Sequence, residues 1–116
     1  MIKIKRVYDT PDTHDGVRIL VDRLWPRGIS KQAARIDQWL KDVAPTPALR
    51  QWFAHDPAKF KEFKTAYLGQ LREKKVILND IKRMAQPHGV VSLLYAAKDP
   101  QYNHAVVLRD YLTRVK

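Results

Sequence analysis

Two short runs of this chain hold the residue types that bind charge and move protons. Asp22-Arg23-Leu24-Trp25-Pro26-Arg27-Gly28 brings together a carboxylate, guanidinium groups and an indole. Tyr95-Ala96-Ala97-Lys98-Asp99-Pro100, followed by Asn103, adds a phenol, an ammonium, a second carboxylate and an amide. A guanidinium grips a phosphate or carboxylate through a fork of parallel N–H donors, and an ammonium supplies a point charge. Arg23, Arg27 and Lys98 are therefore the candidate anion ligands. Asp22 is the candidate catalytic group, as a general base or as the group that orients a water. Tyr95 and Asn103 are candidate hydrogen-bond donors to a ligand. Trp25 has the flat ring needed to cover a ligand or stack on one.

The same residues have architectural readings. Asp22 can form a structural ion pair with Arg23, Arg27 or Lys98. Asp99, directly before Pro100, has the signature of a helix cap. Trp25 can plug the core. The whole first run can be a polar network that locks loops together and holds no ligand.

Residue content removes several other chemistries. The chain has no Cys, so a thiolate nucleophile, a disulfide framework and a Cys-ligated zinc are excluded. His14, His55, His88 and His104 have none of the spacings that signal a metal site, so no metal is expected. His55 reads as a cap at a helix C-terminus. Ser30 and Ser92 lack the G-x-S-x-G setting of a nucleophile. Glycines at 16, 28, 69 and 89 form neither a P-loop nor a G-x-G-x-x-G turn, and no cofactor is implied.

The elements that must position these groups follow from periodicity. Residues 2–7 alternate apolar and basic, which predicts a strand, and 8–15 read as a polar loop closed by Gly16. A β-branched run predicts a buried strand over 17–24, with Asp22 and Leu24 on one face and Arg23 on the other. Ser30 is placed to cap a short helix over 31–35. The apolar positions 36, 39, 40 and 43 fit a helix, but Trp39 and Val43 before Ala-Pro also suit a short strand, and the balance favours a strand at 38–43. Thr46-Pro47, Asp56-Pro57 and Asp99-Pro100 each pair a capping oxygen with a Pro that has no N–H to leave unpaired, and so predict helix starts. The second opens a helix over 57–73 with Phe60, Phe63, Tyr67 and Leu71 as its stripe. Another helix covers 76–86 with Ile77, Ile81 and Met84 on one face, stopped by Pro87-His88-Gly89. Residues 90–95 are almost continuously apolar, the mark of an interior strand. A last helix runs from 103 to 114, with Ala105, Leu108, Leu112 and Val115 inward. Strands alternating with helices predict an α/β fold, a single small domain with a mostly parallel sheet of about four strands flanked by helices. Ligands of such sheets bind beyond the strand carboxyl ends, where both polar runs fall.

A length of 116 residues, 45% of them hydrophobic, suits one domain over 1–116. The start of the chain lacks the apolar run of a signal peptide, and no segment reaches the ~20 apolar residues of a membrane span. A cytoplasmic protein with no membrane partner is expected. The formal charge of +10 favours acidic partners. Two classes of function follow. One is a domain that binds a small anionic, phosphate- or nucleotide-like ligand, with or without catalysis. The other is a nucleic-acid-binding or adaptor protein that uses the basic residues of 57–83.

The motifs also carry a resemblance. Asp22 to Lys31, Trp39-Leu40-Lys41-Asp42-Val43-Ala44-Pro45, Leu49 to Pro57, and Leu93 to Pro100 with Asn103-His104-Ala105 are similar to the family called domain of unknown function 488, in its short YeaO-like branch. The likeness covers nearly the whole chain. The family brings no assigned reaction. Longer members carry Cys at the position of Tyr95, and Cys-His-Arg where Asn103-His104-Ala105 stands. This chain lacks both cysteines and that arginine, so the resemblance implies a shared pocket with altered chemistry.

Overall fold

The computed structural model describes residues 1–86 and 89–114. Four parallel strands, β1 (Ile2–Arg6), β2 (Val17–Leu20), β3 (Gln38–Trp39) and β4 (Val91–Tyr95), form one sheet in the order β1-β4-β2-β3. The helices are α1 (Lys31–Ala34), α2 (Pro47–Phe53), α3 (Phe60–Leu71), α4 (Lys75–Met84) and α5 (His104–Arg114). This is the α/β architecture with a parallel sheet that the alternating pattern predicts.

The pleat sorts the sheet into two unlike faces. Ile2, Ile4, Val17, Ile19, Val91 and Leu93 point to one side, where Phe63, Tyr67 and Leu71 of α3, Leu78 and Ile81 of α4, and Ala105, Leu108 and Leu112 of α5 complete the main core. The other face is thinner. There Leu20, Leu94 and Val7 pack with Ala34, Trp25 and Trp39. The Lys residues of β1 serve this second face. Lys3 donates to the carbonyl of His14, and Lys5 reaches the Thr10 carbonyl and the Asp15 carboxylate. The apolar/basic alternation of β1 therefore ties down the 8–16 loop.

Arg18 lies on the thin face inside a run of Val, Ile and Leu and is 4% exposed. An unpaired buried guanidinium is untenable. Its Nη1 meets the Asp15 carboxylate, while Nε and Nη2 donate to the carbonyls of Ala34 and Arg35 at the end of α1. The Ser92 hydroxyl donates to the Asp15 carbonyl. Burial works against the charge on Asp15, yet hydrogen bonds from the Asp12 N–H, Lys5 and Arg18 outweigh it and hold the carboxyl below its ordinary range.

Several boundaries differ from expectation. β2 stops at Leu20, not residue 24, because the groups of Asp22 go to other partners than a strand ladder. Ala96 N–H donates to its carboxylate, and Trp39 Nε1 donates to its carbonyl. The strand expected at 38–43 is two residues long. It gives way to a 3₁₀ turn at Lys41–Val43 that leads into Ala44-Pro45. Asp56-Pro57 opens a 3₁₀ turn at Pro57–Lys59, and α3 continues from it to Leu71. Asp99-Pro100 does not start a helix. The Asp99 carboxylate caps a turn through the N–H groups of Gln101 and Tyr102, and α5 begins later, with the Asn103 amide oxygen accepting from Val106 N–H. The Ser30 and Thr46 caps do form, accepting from Ala33 and Leu49 N–H respectively. His88 and Val115 lie outside the described residues.

Tyr67 carries the clearest link from core to loop. Its hydroxyl, fully buried, donates to the Val43 carbonyl at 2.6 Å. Burial pushes this phenol far above its usual range, with the charge of Asp22 adding to the effect, so it remains a donor at every working pH. Tyr67→Phe orphans a buried carbonyl and is expected to cost about 1–3 kcal/mol in a urea titration.

Candidate functional site

The chain leaves β2 and β4, which are neighbours, in opposite directions. After β2 it passes to α1 on the thin face, and after β4 to α5 on the helical face. That arrangement opens a crevice outside the carboxyl ends of the two strands. A cavity of about 520 Å³ lies there, within the size range of small-ligand pockets.

Asp22, Arg23, Lys98 and Asn103 line this cavity. Arg23 is held in place from behind: Nε donates to the Pro45 carbonyl and Nη2 to the Ala44 carbonyl, each at 3.2 Å. Those carbonyls belong to the segment that Tyr67 anchors through Val43. Backbone acceptors thus fix the orientation of the guanidinium and leave its charge uncancelled. The strand ends themselves are also clamped. Arg6 donates to the carbonyls of Ala96 and Ala97, both of which line the cavity.

Asp22 faces His104, the first residue of α5. His104 Nε2 has two acceptors before it, the Val21 carbonyl at 3.0 Å and Asp22 Oδ1 at 3.1 Å. A nitrogen facing two acceptors must carry the hydrogen, which fixes the tautomer. That hydrogen is directed at Val21, so Asp22 Oδ1 stays buried without a directed hydrogen bond. Oδ2 accepts from Ala96 N–H. Asn103 is buried and employed on both sides, donating to the Asp99 carbonyl and capping α5.

The other expected site residues lie elsewhere. Trp25 turns to the opposite face, where its ring meets Trp39 edge-on at 5.4 Å and its Nε1 donates to the Ile29 carbonyl. Arg27 is exposed, and its carbonyl accepts from the Tyr8 hydroxyl. Tyr95 is buried at the base of the 96–98 loop. Burial raises its phenol, with Asp9 adding to the rise, while Arg6 and a hydrogen bond with the Asn103 side chain oppose it.

Four polar groups of the cavity were not picked out from the sequence as site residues: Arg50 of α2, His55, Asp99 and His104. His55 and Ala54 both adopt left-handed backbone, φ +58° and +47°, as the chain reverses after α2. Two adjacent non-glycine residues in that region store strain beside the pocket. Their adjacency to Trp52-Phe53 was visible, but the place of His55 in the cavity that Asp22 also lines depends on the long crossover from β3 to β4. No cluster of side chains able to hold a metal ion occurs among the described residues.

A family model described as "Inactive DUF488-N3 subclade" matches residues 1–115. The chain belongs to that family. It is 42% identical over 116 residues to "Uncharacterized protein YeaO" of Escherichia coli K12, covering 96% of each chain. It is 38% identical over 111 residues to "Uncharacterized protein Rv3073c" of Mycobacterium tuberculosis H37Rv, covering 96% of this chain and 92% of the relative. No solved structure matches significantly. Within this DUF488-N3 member, the positions where longer relatives were expected to carry thiols hold the buried Tyr95 and the helix-capping Asn103.

Proposed function

We propose that this protein binds a small anionic ligand of phosphate or nucleotide type in the cavity beyond β2 and β4, and that it does so without turning it over. The observation that carries this reading is Arg23. Its Nε and Nη2 rest on two backbone carbonyls, and its charge faces a concave pocket that also receives Lys98 and Arg50. Carbonyl contacts of this kind orient a guanidinium without neutralising it, which is how a preformed anion site keeps its charge. The α5 N-terminus adds a partial positive charge beside the same cavity. The family description supports the absence of turnover. Asp22, the cavity carboxylate that faces His104, also accepts from the Ala96 N–H and so holds the two strand ends in register.

Isothermal titration with inorganic phosphate and phosphorylated metabolites tests the proposal. Wild type should bind, and Arg23→Ala should lose at least tenfold in affinity while keeping its melting temperature within a few degrees. Equal affinity in the two proteins would refute the assignment.

A second reading rests on the lysines of the 3₁₀ turn at Pro57–Lys59, of α3 and of α4. Lys59 lies over the Trp52 ring, 5.2 Å from its centroid, and Lys61 and Lys75 are exposed. A nucleic-acid interface there would bind duplex DNA with an affinity falling log-linearly with salt. A flat salt profile removes this reading.

A further inference from the structure

The cavity is not simply a cradle for an ion. Its lining joins the cations Arg23, Lys98 and Arg50 and the carboxylates of Asp22 and Asp99 to the apolar side chains of Leu24, Phe53 and Phe63. Phe53 and Phe63 stack at 4.2 Å with 19° between their planes, so two packed aromatic rings border the cavity. Leu24 is 59% exposed at the mouth. Covering it with the apolar part of a ligand removes apolar surface from water. The same cavity thus holds the guanidinium of Arg23, backed by the Ala44 and Pro45 carbonyls, and these apolar side chains. An ion alone would satisfy the charge and leave the apolar side chains wet.

We infer that the ligand is a ring-bearing phosphate, one flat aromatic or heteroaromatic ring joined to a single phosphate, as in an aryl phosphate or a nucleoside monophosphate. The inference rests on the anion-binding reading above and specifies its ligand class. The phosphate sits on Arg23, with Lys98 and Arg50 around it. The ring lies toward the Phe53–Phe63 pair and under Leu24. The packing of these Phe rings favours a flat partner over a flexible chain, because neither side then loses rotamer freedom on binding.

A calorimetric series on the whole chain separates the two levels of the claim. Inorganic phosphate, ribose 5-phosphate, phenyl phosphate and a nucleoside 5′-monophosphate are titrated in turn. The expected result is that the last two bind at least tenfold more tightly than the first two. Phe53 contributes to the core, so Phe53→Leu, which keeps bulk and removes the ring, is paired with Leu24→Ala at an exposed position. Both should shrink the ring-dependent gain severalfold and leave inorganic phosphate unchanged, whereas Arg23→Ala should weaken all four. If the four ligands bind wild type equally, the pocket recognises phosphate alone and the ring inference is wrong while the anion reading stands. If ribose 5-phosphate matches the nucleotide but phenyl phosphate does not, the sugar and not the ring is read, and the inference also falls. If none binds, the anion reading itself is overturned.

Discussion

Asp15→Ala is expected to lower the unfolding free energy by about 3–5 kcal/mol, the range for breaking a buried ion pair from one side. Asp15 is 2% exposed and Arg18 4%, and the substitution leaves the Arg18 guanidinium in the core with carbonyl partners only. Lys5 also loses its carboxylate but keeps the Thr10 carbonyl and is partly solvated, so Lys5→Met should cost much less. The capping of Asp12 N–H by Asp15 disappears as well, which loosens the 3₁₀ turn at Thr13–Asp15. The effect must depend on pH. The Asp15 carboxyl is held below its unfolded value, so its contribution is complete above the ordinary Asp range, about pH 4, and drains away as pH falls through the lower folded value. The gap between wild type and Asp15→Ala in urea titrations should therefore be constant from pH 7 to 5 and narrow below 4. A gap that persists unchanged at pH 2 would show that the charge on Asp15 is not what stabilises this face.

Gly16→Ala is the second large effect. Gly16 has φ +66°, and a Cβ there would lie 2.1 Å from the Val90 carbonyl oxygen. That oxygen accepts the Val17 N–H that starts the pairing of β2 with β4. Neither side of the clash is a flexible side chain, so the strands must separate locally. Backbone strain of about 1–3 kcal/mol adds to an overpacking cost of about 1–3 kcal/mol, so the variant should lose about 2–6 kcal/mol of stability. Gly28 is the internal control. It has φ +75°, but a Cβ there would meet nothing within 4 Å, so Gly28→Ala incurs only the conformational cost of about 1 kcal/mol. Similar losses for the two variants, measured by thermal denaturation, would contradict the contact argument.

How far the sequence was readable varies with how local the deciding physics is. β1 and β4, the Ser30 and Thr46 caps, and the Phe63–Tyr67–Leu71 stripe of α3 depend on neighbours within a turn or a pleat, and they were legible. The end of β2 was not, because the competitor for Asp22's backbone is Trp39, on another strand. Asp99-Pro100 has the local form of a helix start, yet Asn103 takes the cap, since α5 must begin where His104 can reach Val21. Asp22, Arg23, Lys98 and Asn103 could be placed near one another because strand ends converge in a parallel sheet. Arg50, His55 and His104 could not, because their position depends on how α2 and α5 fold back over that end. Trp25 was assigned by adjacency to Arg23, but the chain bends at Arg23–Leu24 and Trp25 packs on the other face. Arg18 had a signal that went unused: a guanidinium inside a buried strand demands a carboxylate, and Asp15 is three residues away.

The strand order has a consequence for how the molecule is made. β1 pairs with β4, and β2 does not reach β1, since β4 lies between them. β1 has no neighbour in the sheet until residues 91–95 have emerged. A nascent chain that stops short of them holds an unpaired Ile-rich edge and half a core. Sheets closed by sequence-distant pairings form slowly and expose sticky surface meanwhile. Acquisition of the fold is thus deferred until β4 has been made, and chaperone dependence and protease sensitivity should be concentrated in the interval before it. The cavity has the same timing, because β4 and α5 supply one of its walls.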